Sequence, residues 1–185
     1  MGLRQSLLEA AAGLFYKYGI RGVGVEAIAG AAGTNKMTLY RHFGSKDELV
    51  AAWLRQLVNE MEGSWDQIAV RFRHSPKDLL LAWFEFLAAG ASHFGERGCP
   101  FANSLAELPE RNHPARIVIE QHKLSQRDRF TRLCKQARLP QSELKGEALF
   151  LLLEGALSNA QSLGGDEFSR RLIRMGRAIV SIPAR

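Results

Sequence analysis

Residues 25–50 read VEAIAGAAGTNKMTLYRHFGSKDELV and hold two short helical patterns separated by a turn. Ile28 belongs to the first pattern, and Leu39 and Phe43 to the second, at the three- and four-residue spacing of buried helix faces. Gly33 lies between the two patterns and supplies the permissive backbone that a tight turn needs. The stretch therefore predicts a helix-turn-helix, in which the second helix enters the major groove of DNA.

Three helix starts follow from local residue chemistry. Asn35 can cap the second helix of the motif, because its side-chain oxygen can accept a hydrogen bond from the first turn. Ser45, with Glu48 three residues later, is a capping-box pattern that begins a further helix at Lys46. Gly24 stands at the cap position of the first helix, where it costs only a few tenths of a kcal/mol relative to a good cap, so we expect that helix to form.

The outer face of the second helix carries groups that can reach base edges and phosphates. Met37 can also touch a thymine methyl group. At the start of the next helix, the ammonium of Lys46 and the free backbone N–H groups can both bind a phosphate. We therefore predict that these residues contact DNA: Thr34, Asn35, Lys36, Met37, Thr38, Tyr40, Arg41, His42 and Lys46.

The rest of the chain also repeats with a helical period and shows no sustained two-residue alternation, which predicts an all-α fold. Glycine and proline punctuation separates nine helices, with the fifth ending near Phe94, a turn at Gly164-Gly165 and the ninth ending near Ile182. We expect two domains. Residues 1–45 form a three-helix head with the helix-turn-helix, and residues 46–185 form a larger helical body.

Composition favours a DNA partner and a cytoplasmic protein. The 185 residues carry a net charge of +6, which favours polyanionic partners, nucleic acid first. The apolar run from Ala148 to Leu153 is far shorter than a membrane span, and the N-terminus reads as an amphipathic helix, so we expect no membrane association. Two cysteines make no disulfide framework, which fits a reducing cytoplasm.

Enzymatic motifs are missing from the sequence. It has no nucleophile elbow, P-loop, dinucleotide fingerprint or metal-hydrolase motif, so we expect no enzymatic activity, no cofactor and no metal. Two alternatives stay open. One is an enzyme that uses Cys99 or a histidine, or a redox sensor at Cys99, which lies near the basic Arg97. The other is a helical binding or scaffold protein that no longer reads DNA.

The body gives weaker signals than the head. Effector cavities are mostly apolar with a few polar groups, and we name as pocket candidates Trp53, Met61, Trp83, Phe84, Phe101 and Asn103. The last two helices are apolar enough either to be buried within one body or to pack against a copy of the chain, and we favour the second arrangement, a two-fold four-helix interface. Its predicted residues are Leu149, Leu153, Ala156, Leu157, Ala160, Phe168, Leu172, Met175 and Ile179. The basic residues of the seventh helix, including Arg129, read as a solvated face.

The stretch AAGTNKMTLYRHFGSKDELV resembles the signature of the tetracycline-repressor-type (TetR) transcriptional regulators. That pattern runs Gly-Val-Ser-x-x-Thr-Leu-Tyr-x-His-Phe-x-x-Lys-x-x-Leu. The chain matches it at Gly33, Thr38, Leu39, Tyr40, His42, Phe43, Lys46 and Leu49. It departs at Thr34-Asn35, where the family has Val-Ser, and at Gly24, where the family has a hydroxyl cap. The motif covers about the first quarter of the chain.

The resemblance implies a homodimer that represses transcription from a palindromic operator. It also implies release from DNA by a small molecule bound in the body, and the aromatic candidates favour a hydrophobic or flat effector.

Overall fold

The computed structural model describes residues 2–93, 97–163 and 166–181, which form nine α-helices with no strand among them. This confirms the predicted all-α fold. In chain order the helices are α1 (Leu3–Tyr18), α2 (Val25–Ala31), α3 (Lys36–Phe43), α4 (Lys46–Arg71), α5 (Pro76–His93), α6 (Pro100–Glu107), α7 (Pro114–Gln136), α8 (Ser142–Leu163) and α9 (Asp166–Ser181). The predicted helix ends at Phe94 and Ile182 and the predicted turn at Gly164-Gly165 lie outside the described residues.

The chain packs as two compact units. The first comprises Met1–Glu60 and Pro100–Gln121, and the second comprises Met61–Cys99 and His122–Arg185. The unit boundaries fall inside α4, at the start of α6 and inside α7, and not between residues 45 and 46. The predicted boundary between residues 45 and 46 divides the DNA-binding head from the helical body, and it stays a prediction.

In the first unit, α1 packs against α2 and α3. The α1 face turned inwards includes Leu7, Ala11 and Phe15, each with at most 2% of its surface exposed. Ile28 of α2 and Leu39 of α3 are fully buried beside them, as the sequence spacing predicts. This apolar contact fixes the angle between the two helices of the motif, because close-packed side chains tolerate little displacement.

In the second unit, α5, α8 and α9 pack on one another. Its core includes Trp83 and Phe84 of α5, Phe130 of α7 and Leu149 of α8, all essentially inaccessible to solvent. Gly176 lets α9 approach α5 closely, since a Cβ atom at that position would overlap the Phe84 ring.

Candidate functional site

The turn of the helix-turn-helix is a Schellman motif centred on Gly33. The Thr34 N–H donates to the Ala29 carbonyl at 2.9 Å, and the Gly33 N–H donates to the Gly30 carbonyl at 3.0 Å. These two bonds satisfy carbonyls that the end of α2 would leave unpaired. Gly33 has a φ of +67°, which a residue with a Cβ atom adopts only with strain. The turn therefore depends on glycine for its conformation.

Asn35 caps α3 as the sequence predicts. Its Oδ1 accepts a hydrogen bond from the Thr38 N–H at 3.0 Å and a second from the Thr38 hydroxyl at 3.3 Å. Asn35 was also predicted to contact DNA, but its side-chain oxygen already has two donors. Only its amide N–H₂ group is left for a DNA contact by this side chain.

The outward face of α3 is open to solvent. Met37 is 72% exposed and Tyr40 is 41% exposed, while Lys36, Arg41 and His42 are also at the surface. The predicted contacts Thr34 and Thr38 are half-buried. The short helix α3 thus carries most of the predicted polar set, with the apolar set on its other side. Thr34 and Asn35 immediately precede α3, and Lys46 begins α4.

Lys36 carries an ion pair that the sequence analysis missed. Its ammonium lies 2.9 Å from Oε1 of Glu26, which belongs to α2. The hydrogen bond to this carboxylate and its charge raise the pKa of Lys36 above its usual value. The two residues are ten apart, which is no regular helical spacing, so only the angle between α2 and α3 brings them together.

Lys46 is half-buried at the start of α4. Its ammonium donates to the Ile20 carbonyl at 2.6 Å, in the segment that follows α1. The Glu48 N–H donates to the Ser45 hydroxyl at 3.0 Å, which confirms this half of the predicted capping box. Lys46 therefore already ties α4 to the end of α1, and any phosphate it binds must share its donors.

The predicted pocket residues are divided between the two units. Trp53, Phe101 and Asn103 belong to the first, and Met61, Trp83 and Phe84 to the second. In the second unit Trp83 and Phe84 are buried and Met61 is half-buried. The pocket assignment as a set stays a prediction.

A buried polar cluster in the second unit corrects the interpretation of α7 as wholly solvated. Arg129 is only 6% exposed. Its guanidinium lies over two tryptophan rings, 4.3 Å from the centroid of Trp65 and 5.4 Å from that of Trp83. Its Nη2 donates to the Glu62 carboxylate. We call the set of Glu62, Trp65, Trp83, His122, Gln126 and Arg129 the Arg129 cluster.

The three α7 members of the Arg129 cluster share one helix face, with spacings of four and three residues. Gln126 Oε1 accepts a hydrogen bond from the Trp83 indole N–H at 3.2 Å. Burial lowers the pKa of His122 to about 4, although the charge of Glu62 raises it, so the ring is neutral near pH 7. The spacing was visible in the sequence, but nothing there distinguished this face from the exposed one.

The predicted dimer residues of α8 and α9 fall into two groups. Five of them are buried inside the second unit, so they belong to the chain's own core: Leu149, Leu153, Ala156, Ala160 and Leu172. Met175 is 54% exposed, and Leu157, Phe168 and Ile179 are half-buried. Leu151 is not among the predicted residues, yet it is 58% exposed and lines an open groove between α8 and α9 with Gly155 and Met175.

The part of the chain that the structure describes lacks two further kinds of site. No helix there is long and apolar enough to cross a membrane, and no three His, Cys, Asp or Glu side chains are grouped to hold a metal ion. Cys99 and Cys134 are buried and form no disulfide bond. Burial raises the pKa of Cys134 to about 11, which disfavours the reactive thiolate at that position.

Comparison with known proteins gives some matches that cover part of the chain and others that cover nearly all of it. Residues 7–53 match the family model described as bacterial regulatory proteins, tetR family. The HTH-type transcriptional repressor KstR2 of Rhodococcus jostii is 37% identical over 93 residues, 50% of this chain and 46% of that repressor. The HTH-type transcriptional repressor SCO4008 of Streptomyces coelicolor is 28% identical, over 55% of this chain and 60% of its own length. The chain thus spans about half the length of these curated relatives.

Whole-chain similarity appears among solved structures. The TetR-family transcriptional regulator SCO4454 of Streptomyces coelicolor superposes with a TM-score of 0.88 at 27% identity, covering 96% of this chain and 94% of that one. The reduced form of Escherichia coli NemR has the same fold, with a TM-score of 0.78 at 18% identity. It covers 98% of this chain and 99% of that one.

Proposed function

We propose that this chain, which belongs to the tetR family of bacterial regulatory proteins, is a cytoplasmic, effector-responsive transcriptional repressor. It binds a palindromic operator as a homodimer, and a small, largely hydrophobic or aromatic molecule releases it. We propose repression and not activation because the relatives KstR2 and SCO4008 are both named transcriptional repressors.

One observation carries the DNA-binding assignment. The short helix α3 is capped at its start by Asn35, set at a fixed angle by buried Leu39 and Phe43, and exposed along its polar face. A rigid helix of this kind can enter a major groove with little loss of conformational entropy on binding. Lys36, Arg41 and His42 supply donors for phosphates or base edges at the surface of this helix.

The homodimer rests on the exposed faces of α8 and α9. Leu151 and Met175 are both more than half exposed, and with Gly155 they line one groove. Exposed apolar side chains of this size gathered in one place are typical of a protein–protein contact. A two-fold axis would place the same groove on both copies, as an isologous interface requires.

Selection of random duplex DNA by the purified protein tests the function. We expect a palindromic sequence to be enriched, and its affinity to fall at least tenfold in Lys36→Ala at moderate salt. The matched control is Lys135→Ala, which also removes an exposed lysine paired with a glutamate, 2.7 Å from Glu143. Failure to enrich any sequence, or an equal effect of the two variants, would instead favour a helical binding protein that no longer reads DNA.

A further inference from the structure

The Arg129 cluster holds more hydrogen-bond donors than acceptors. Arg129 Nε and Nη1 and Gln126 Nε2 are buried without a hydrogen-bond partner. We propose that the cluster binds an uncharged, flat molecule through a carbonyl-type oxygen. This inference rests on the proposed function, because it assigns the chemistry of the effector.

The missing partner is an acceptor, as the pairing of each atom shows. Arg129 uses Nη2 on Glu62, and Gln126 uses Oε1 on the Trp83 indole N–H. The N–H groups left over can only donate. Buried donors without partners are rare in folded proteins, because each loses its hydrogen bonds to water and gains none in return. An oxygen with two lone pairs would satisfy two of them at once.

The charge balance of the cluster favours a neutral acceptor. The positive charge of Arg129 already faces the negative charge of Glu62. His122 is neutral, and Lys123 nearby is paired with Glu154. A carboxylate ligand would therefore add an unbalanced charge to a buried site, which is costly. A ketone, lactone or amide oxygen brings lone pairs without that charge.

The aromatic members of the cluster indicate a flat apolar body for the ligand. The Trp65 and Trp83 rings meet edge to face, with centroids 5.3 Å apart. Phe86 stacks on Trp83, with ring centroids 5.4 Å apart, and is 41% exposed. A continuous row of rings thus runs from solvent to the unpartnered donors. Such rings pack favourably against another planar ring system.

Three naphthalene probes that differ in one substituent test this chemistry on the full-length protein. They are 2-acetylnaphthalene, with a neutral acceptor, 2-ethylnaphthalene, with none, and 2-naphthoate, with a charged one. Titration calorimetry gives each dissociation constant. We expect the ketone to bind about tenfold more tightly than the hydrocarbon, the effect of one or two gained hydrogen bonds, and more tightly than the carboxylate.

Two substitutions in the Arg129 cluster, with one matched control elsewhere on α7, test where the probes bind. Gln126→Glu keeps the acceptor for the Trp83 indole and removes the unpartnered amide N–H₂ group, so the preference for the ketone should disappear. Gln136→Glu makes the same chemical change at an exposed position of α7 and should leave the preference intact. Arg129→Lys keeps the charge but removes Nε and Nη1, and it provides a second variant if Gln126→Glu does not fold.

Each outcome decides the proposal. Equal binding of the ketone and the hydrocarbon would show that the unpartnered donors do not bind the ligand. Tighter binding of 2-naphthoate would show that the site does not prefer an uncharged ligand. No binding of any probe, or a preference that survives in folded Gln126→Glu and Arg129→Lys, overturns the site. Binding of selected operator DNA is measured on the same preparations. If the wild-type protein binds operator but shows no preference for the ketone, this inference is refuted and the proposed function stands.

Discussion

The ammonium of Lys36, the first residue of α3, lies 2.9 Å from the carboxylate of Glu26, the second residue of α2. The pair joins the two helices of the helix-turn-helix at its surface. Both side chains are more than half exposed, so the pair adds little to folding stability. Its consequence lies in DNA binding, because a phosphate must compete with Glu26 for the same ammonium.

Glu26→Gln should increase the affinity for duplex DNA severalfold. The substitution removes a negative charge beside the proposed phosphate ligand and leaves Lys36 free to neutralise a phosphate. Each added phosphate contact also steepens the dependence of affinity on salt, by a slope of roughly one in log–log form. Fluorescence anisotropy on a labelled operator at several salt concentrations measures both quantities.

Glu143→Gln is the matched control for this prediction. Glu143 is also an exposed carboxylate paired with a lysine, at 2.7 Å from Lys135, and the variant changes the net charge by the same amount. An equal gain in the two variants would mean that total charge, and not the Lys36–Glu26 pair, sets the effect.

Acid should destabilise the protein through His122. Burial lowers the pKa of His122 from 6.5 to about 4 in the folded chain. Between these two pH values the unfolded chain binds a proton that the folded chain does not. The contribution of His122 is therefore complete above pH 6.5 and is lost as the pH falls towards 4, at up to about 1.4 kcal/mol of unfolding free energy per pH unit.

Urea unfolding at several pH values between 7 and 4 checks the His122 prediction. The free energy of unfolding of His122→Gln should fall less steeply than that of the wild type over this range. Carboxylates also titrate near pH 4, so the difference in slope between the two proteins is the quantity that matters. Parallel curves would show that another group causes the acid sensitivity.

Local residue chemistry made the head predictable from the sequence. Asn35 caps α3 and Gly33 forms the turn because each acts on backbone atoms at most a few residues away. The buried α1 residues Leu7, Ala11 and Phe15 likewise follow the four-residue spacing of a buried helix face.

The features that could not be predicted from the sequence are those that depend on tertiary packing. Arg129 looks like its exposed basic neighbours on α7, but the tryptophans that cover it come from α4 and α5. Leu149 and Leu153 were predicted at a dimer interface, yet they face the core of their own unit. An apolar helix face does not itself say whether it packs on the same chain or on a partner.

Gly176→Ala should destabilise the second unit by about 1–3 kcal/mol, the usual cost of overpacking a core. The new methyl group would overlap the Phe84 ring, so α9 would have to move away from α5. Gly63→Ala is the counterpart, because Gly63 lies in α4 with open space around it. That change should stabilise the protein by up to about 1 kcal/mol through helix propensity. Chemical denaturation of both variants measures the two shifts, and a stabilised Gly176→Ala would contradict the close α5–α9 approach.

Leu151→Arg should convert the proposed dimer into monomers. Leu151 is 58% exposed on α8 and lines the groove with Met175. In an isologous interface the substitution would place an arginine from each copy in an apolar contact, where an unpaired buried charge is strongly unfavourable. Sedimentation equilibrium measures the mass, and we expect operator affinity to fall with it, because one head alone contacts only one half-site. Val70→Arg, on α4 at a 72% exposed position, is the control and should remain dimeric. A Leu151→Arg protein that stays dimeric would place the interface elsewhere on the chain.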